Sequence, residues 1–271
     1  MFFGLFLFLK TTGLSQSGDI SLSATWRFAM DSTDAGIREQ WFTKLLSGSI
    51  QLPGSMNSNN LGVKVGIHTQ WTASIYDSSF FFQPRFLKYR QPDDYRIPCW
   101  LTPLKYYSGP AWYQKEIVIP SMAAGRQWQL YIERTHIGSL AWMDGVSLGN
   151  GQNSLATAHI YSLPVLKPGK HLLTIRIDNR LQNAEVGQDS HSVSDHTQGN
   201  WNGIIGRIVL QPVPELSIQQ VQIYPDAAQK QIRVECLLKN NGSQTVKSYL
   251  KYRVKGDKGM LINREINDIQ L

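Results

Sequence analysis

From residue 20 onward, apolar and polar positions alternate in short runs separated by Gly, Pro, Asn and Asp. Residues 20–22 and 25–30 alternate with a period of two, the spacing of half-buried strands. Residues 111–119, 127–133 and 172–178 are further strands, and 139–143 faces 146–148 across Asp144-Gly145, a two-residue hairpin signal. Beyond Pro212-Val213-Pro214, which reads as a linker, residues 216–224, 231–239 and 249–255 predict three more strands, the last two joined by a turn at 240–243. One stretch has helical spacing: residues 35–46, with Ile37, Trp41 and Leu45 on one face and Asp34 placed to cap it. Many short strands, close turn signals and one short helix predict an all-β chain of the β-sandwich or jelly-roll type.

Two stretches break this regularity. Residues 61–107 are irregular but crowded with Trp71, Tyr76, Phe80, Tyr95, Trp100 and Tyr106, interleaved with prolines. A structureless loop of that length is unusual, so its aromatic content implies packing over a core or over a binding cleft. The second is residues 195–210 (DHTQGNWNGIIGRIVL). Its first half gathers Asp, His, Gln and two Asn around one Trp, and its second half is apolar enough for a buried strand. A Gly-punctuated polar loop running into a strand is how a rigid scaffold presents binding groups. Neutral hydrogen-bonding groups beside an indole face suit a sugar, whose hydroxyls need donors and acceptors and whose C–H face packs on an aromatic ring. The alternative is a strand-entry loop whose Asn and Asp bond their own backbone.

Composition narrows the classes. With 42% hydrophobic and 17% charged residues the chain is a core-forming protein. The net charge of +7 invites a nucleic-acid reading, but the densest cationic stretch, residues 247–258, alternates with Tyr249, Leu250, Tyr252 and Val254 as the solvent face of a strand does. Nucleic acid is therefore not expected as a partner. Cys99 and Cys236 are far apart, the six His are dispersed and no Cys/His spacing suggests zinc, so no metal and no cofactor is expected. Residues 2–9 are all apolar or Gly, too short a run to span a bilayer, and small polar residues follow. This resembles the apolar and cleavage regions of a secretory signal peptide at residues 1–16, without a positive start, and predicts export to the periplasm or the extracellular space.

Three motifs in order carry a family resemblance. Residues 109–116 (GPAWYQKE) resemble the Gly-x-x-Trp-Tyr-basic strand of glycoside hydrolase family 2, the β-galactosidase and β-glucuronidase family. The hairpin Trp142-Met143-Asp144-Gly145 with Gly149 resembles its N-G-x-x-x-G hairpin, with Asp in place of Asn. Residues 200–210 resemble its W-x-G-I-x-R-x-V-x-L signature. The family implies a galactose-binding-like jelly roll, here residues 17–212, then an immunoglobulin-like β-sandwich. Residues 213–271 resemble the start of one, which takes roughly 100 residues and about seven strands, so they read as a truncated domain. The family also implies a (β/α)₈ barrel with two catalytic glutamates, of which the acid/base follows an Asn. This sequence has no Asn-Glu pair and no alternating βα pattern, so no catalytic residue is assigned. Asp93-Asp94, the one adjacent carboxylate pair, reads as solvated.

In β-galactosidase-like members the loop before the last signature reaches the mouth of the barrel. Carried over, this makes Asp195, His196, Gln198, Asn200, Trp201 and Asn202 the substrate-binding candidates. Asp195 would grip two sugar hydroxyls, His196 would add one hydrogen bond, and Trp201 is either a stacking face or core. Arg207 reads as structural. The expected partners are a β-glycoside carbohydrate and the catalytic barrel; the alternative is a stand-alone, non-catalytic carbohydrate-binding module.

Overall fold

A computed structural model describes residues 4–9, 18–73, 78–121, 127–181, 187, 189–191, 193–242, 244–255 and 261–271, with backbone alone for 4–9 and 261. The chain forms two compact units, residues 19–212 and residues 1–18 with 213–271.

Residues 19–212 are an antiparallel β-sandwich. One sheet runs in the order Val146–Ser147, Ile137–Met143, Gly169–Asp178, Pro110–Ile119, Ala24–Met30, Gly48–Leu52, with Gln152–Ser154 beside Ile137–Met143. The other runs His159–Ser162, Trp128–Thr135, Gly203–Pro212, Ile20–Ser21, with Gly54–Ser55 also on Gly203–Pro212. Alternate residues of both sheets meet in one core, where Trp26, Tyr113, Ile175, Leu130, Ile132 and Ile208 are all but fully buried. Period-two patterning makes this outcome legible, since every second side chain of a strand shares a face. The Asp144-Gly145 hairpin forms as expected.

The expected helix over residues 35–46 is not formed. A turn and the short 3₁₀ segment Trp41–Thr43 take its place. Asp31, not Asp34, caps the turn, accepting from the Ala35 and Gly36 amides at 2.8 and 2.9 Å. Gln40 has a left-handed φ of 52°, which a helix cannot continue through. The physical reason is tertiary: the outer face of the first sheet carries Trp112 and Trp142, and this segment lays Trp41, Phe42 and Leu46 over them. Gln114 fastens the cover, donating to the carbonyls of Trp41 and Lys44 and accepting from the Leu46 amide. Ile37 and Leu45, assigned to a buried face, are exposed.

The aromatic stretch around residues 61–107 makes a small core of its own, from Val65, Phe80, Tyr95, Ile97 and Tyr106, with Trp71, Phe86 and Trp100 against it. Two short 3₁₀ segments and two minimal ladders provide its regular structure among the described residues.

The other unit holds the hairpin Leu216–Asp226 with Gln231–Asn240, and a three-stranded sheet Gly4–Leu9, Lys247–Lys255, Leu261–Gln270. The three strands expected after residue 213 are present, and the unexpected fourth is Leu261–Gln270. Gly4–Leu9, read as the apolar part of an export signal, pairs antiparallel with Lys247–Lys255; residues 1–3 and 10–17 of that reading lie outside the described ones. Val221, Ile223 and Leu237 on the hairpin are exposed.

Candidate functional site

The loop read as sugar-facing is a chain of tight turns that ends in the strand Gly203–Pro212. Ser194 sets its shape: its carbonyl accepts from the amides of Thr197, Gln198 and Gly199, and its hydroxyl from the His196 amide. Asp195 closes the loop, its Oδ1 accepting from the Asn200 amide at 2.8 Å. Two glycines fix the entry to the strand. A Cβ on Gly203, whose φ is 142°, would stand 2.4 Å from the Gly54 carbonyl oxygen on the neighbouring strand. One on Gly206, with φ 77°, would stand 2.6 Å from the Glu133 carboxyl carbon, at the irregularity between Ile132 and Arg134 in the partner strand.

Beneath the loop lies a buried polar knot. Asp195 is 4% exposed, and its Oδ2 accepts from the Thr72 amide (2.8 Å) and from the Tyr106 hydroxyl (3.1 Å). Asn200 Nδ2 donates to Thr72 Oγ1 and to the Asn179 carbonyl; its Oδ1 accepts from His136 Nδ1 and Asn179 Nδ2. Asn202 Oδ1 accepts from the Tyr113 hydroxyl at 2.6 Å, and its Nδ2 donates to the Gly109 and Ile177 carbonyls. Asn179 completes the set, donating to the Tyr107 carbonyl and accepting from the Gly109 amide. Burial pushes the Tyr106 hydroxyl far above its usual range, with the Asp195 charge adding to it, and burial does the same to Tyr113. Both stay protonated and serve as donors. Buried polar groups satisfied in this way rigidify a site.

The six candidates thus divide by position. Asp195, Asn200 and Asn202 are buried, with their side chains bonded to the protein itself. His196, Gln198 and Trp201 stand at the rim: Gln198 is exposed, while His196 and Trp201 are half-buried. The Trp201 ring stacks on His136 with centroids 5.1 Å apart. His196 meets the edge of Trp100 at 4.6 Å and has Asp189 3.9 Å from its Nδ1. What the sequence did not single out as site residues are Thr72, His136 and Asn179, while Tyr106 was read with its aromatic stretch as packing over a core or a cleft. The signal for Tyr106 lay in the aromatic crowding of its segment; for Asn179 and His136 the sequence holds none, since only the fold brings them to residue 200.

Arg207 is structural, as its position suggested: it is exposed, pairs with Glu133 at 3.3 Å and lies over the Tyr131 ring. Asp93 and Asp94 are exposed and paired with Lys64 and Arg96. Among the described residues no group of three or more His, Cys, Asp or Glu is placed to hold a metal ion. The arrangement offers rigid, mainly neutral hydrogen bonding and an aromatic edge.

No protein-family model matches the chain, and no curated protein sequence does. Its fold is similar to that of solved β-glucuronidases. That of an uncultured Clostridium species aligns over 98% of this chain and 42% of its own, at 15% identity and a TM-score of 0.55. Those of Ruminococcus gnavus and Faecalibacterium prausnitzii each align over 96% of this chain and 46% and 47% of their own, at 12% and 16% identity, both with a TM-score of 0.51. At such identities the likeness establishes the fold, and it is the fold that the resemblance to glycoside hydrolase family 2 implied. The chain spans less than half the length of these enzymes.

Proposed function

We propose that this chain is the sugar-binding β-sandwich portion of an exported, retaining glycoside hydrolase of family 2, and that its 195–202 loop completes the substrate pocket of a catalytic barrel. The observation that carries the reading is the coincidence of two things. The fold aligns along nearly the whole chain with β-glucuronidases. The loop that holds the family-like signature is braced from beneath by a fully bonded polar knot. In this reading His196, Gln198 and Trp201 meet the sugar directly, while Asp195, Asn200 and Asn202 hold them in place. A pre-ordered rim loses little entropy on binding, which favours recognition of a weakly gripping, hydroxyl-rich ligand.

The test has two arms. The chain alone hydrolyses neither aryl β-glucuronides nor aryl β-galactosides; measurable turnover by it would remove the assignment of catalysis to a barrel. Titration calorimetry with methyl β-glucuronide and methyl β-galactoside reads the other arm. Weak or undetectable heats fit a half-pocket. Clear one-to-one binding, abolished by Trp201→Ala, would instead establish the stand-alone carbohydrate-binding module.

A further inference from the structure

Residues 78–91 (SSFFFQPRFLKYRQ) hold five aromatic rings and three cations, and no carboxylate. Two 3₁₀ segments shape the run, Ser78–Phe81 and Pro84–Tyr89. At three residues per turn, positions i and i+3 stand one above the other. Phe86 and Tyr89 thus share a face, which packs against the small core of Val65, Phe80, Tyr95, Ile97 and Tyr106. The other two ridges, Pro84 with Leu87 and Arg85 with Lys88, are exposed. Arg90 closes the run on itself, its guanidinium donating to the carbonyls of Phe81 and Gln83. The Phe82 backbone is thereby tied to the end of the second segment. Phe82 is 68% and Leu87 55% exposed, and Phe81 is exposed as well. A lone exposed leucine is ordinary, but three large apolar side chains on one self-closed loop concentrate apolar surface as interaction sites do.

The charges of the loop name the complement it needs. Arg85 and Lys88 lie over the Phe86 and Tyr89 rings, 4.7 and 5.0 Å from their centroids, and pair with no carboxylate among the described residues. Asp93 and Asp94, next along the chain, are already paired with Lys64 and Arg96. Asp77, just before the run, lies outside the described residues. Exposed Phe and Leu call for an apolar medium, and the two cations beside them call for anions at its border. An anionic bilayer supplies both, acyl chains beneath and phosphates above. Long cationic side chains suit that border, since they lay their stems on apolar surface and keep their heads among the phosphates. An acidic sugar polymer would meet the cations but leave Phe82 and Leu87 in water.

We propose that the loop of residues 78–91 is a docking surface for an anionic lipid bilayer, with Phe82 and Leu87 entering the acyl boundary and Arg85 and Lys88 meeting lipid phosphates. So few side chains make a reversible contact, far short of an anchor. The surface goes beyond the sugar reading and does not depend on it.

Cosedimentation of the full chain with vesicles tests this, using phosphatidylcholine alone and phosphatidylcholine mixed with phosphatidylglycerol. Partitioning onto the mixed vesicles is expected to be several-fold stronger and to fall as salt is added. Arg85→Glu/Lys88→Glu should weaken it roughly tenfold or more, and Phe82→Ser/Leu87→Ser about tenfold. All four positions are exposed, and an unchanged circular-dichroism spectrum checks that each variant folds. Lys247→Glu/Lys255→Glu makes the same change of charge at exposed positions of the other unit and should leave most of the partitioning. A loss there as large as that of the Arg85/Lys88 pair overturns the proposal, because the net charge of +7 would then suffice. So does equal partitioning onto both vesicles, or indifference to the Phe82/Leu87 pair. Partitioning onto neither overturns it too and leaves the patch to a protein partner. None of these outcomes bears on methyl glycoside binding or turnover, so this inference and the proposed function fail independently.

Discussion

At the residue scale, the polar knot separates what side-chain chemistry foretells from what it does not. A loop rich in Asp, His, Asn and Trp reads as a site from composition alone, and the structure brings the six candidates together on one loop. Which of them turn inward is decided by partners far away in sequence, such as Thr72, Tyr106 and Asn179, and no local pattern encodes that choice. Asp195→Asn replaces one oxygen of a doubly used carboxylate by a donor facing donors. It should cost about 1–3 kcal/mol in chemical denaturation, with Tyr106→Phe about 1 kcal/mol. A second residue-scale case is His171, whose Nδ1 lies 2.6 Å from Asp144 and whose side chain is 13% exposed. Burial opposes its protonation, but hydrogen bonds to Asp144 and to the Lys167 carbonyl outweigh that and raise its pKa. The folded state therefore binds this proton more tightly than the unfolded chain. Its stabilisation is complete below about pH 6.5 and is lost as pH rises through the higher folded value. Thermal melts across that interval should show the loss, and Asp144→Asn should flatten it.

At the element scale, strands were legible and the cover over the outer sheet face was not. A period of two names a buried face whatever packs on it, so the long strands Pro110–Ile119 and Gly169–Asp178 appear in the sequence. The segment 35–46 has helical spacing, yet the structure uses it as a cover, with Trp41, Phe42 and Leu46 packed against Trp112 and Trp142, because tertiary packing overrides so weak a local preference. The strand Gly203–Pro212 depends on its glycines in the same non-local way. Gly203→Ala drives a methyl into the Gly54 carbonyl and into a φ that an L residue rarely adopts, so a loss of roughly 2–4 kcal/mol in urea unfolding is expected. Gly199→Ala, where a Cβ would meet nothing within 4 Å, carries only the cost of its left-handed φ of 74°, about 1 kcal/mol, and serves as the control.

At the scale of the whole molecule, the sandwich of residues 19–212 has its own two sheets, core and polar knot. A polypeptide of residues 19–212 should fold unaided and keep the melting temperature of the corresponding transition in the full chain, as read by calorimetry. Had that transition fallen or vanished, the sandwich would need residues outside it. The boundary between the two units, between Pro212 and Val213, falls at the Pro-Val-Pro that punctuates the sequence. The last strand, Leu261–Gln270, was not legible there, because its apolar residues, Leu261, Ile262, Ile266 and Ile269, do not recur with the period of two that marks a half-buried strand.

The knot also carries a consequence for folding order. Asp195 and Thr72 are 123 residues apart along the chain, and Asn200 and Thr72 are 128 apart. Closing loops of that length gives little return until the sandwich between them exists, so these bonds belong to the descent from the transition state and not to the climb. Loosening them by Asp195→Asn should therefore accelerate unfolding and leave the folding rate nearly unchanged. The surface read as sugar-facing would be the last part of the sandwich to assemble and the first to open.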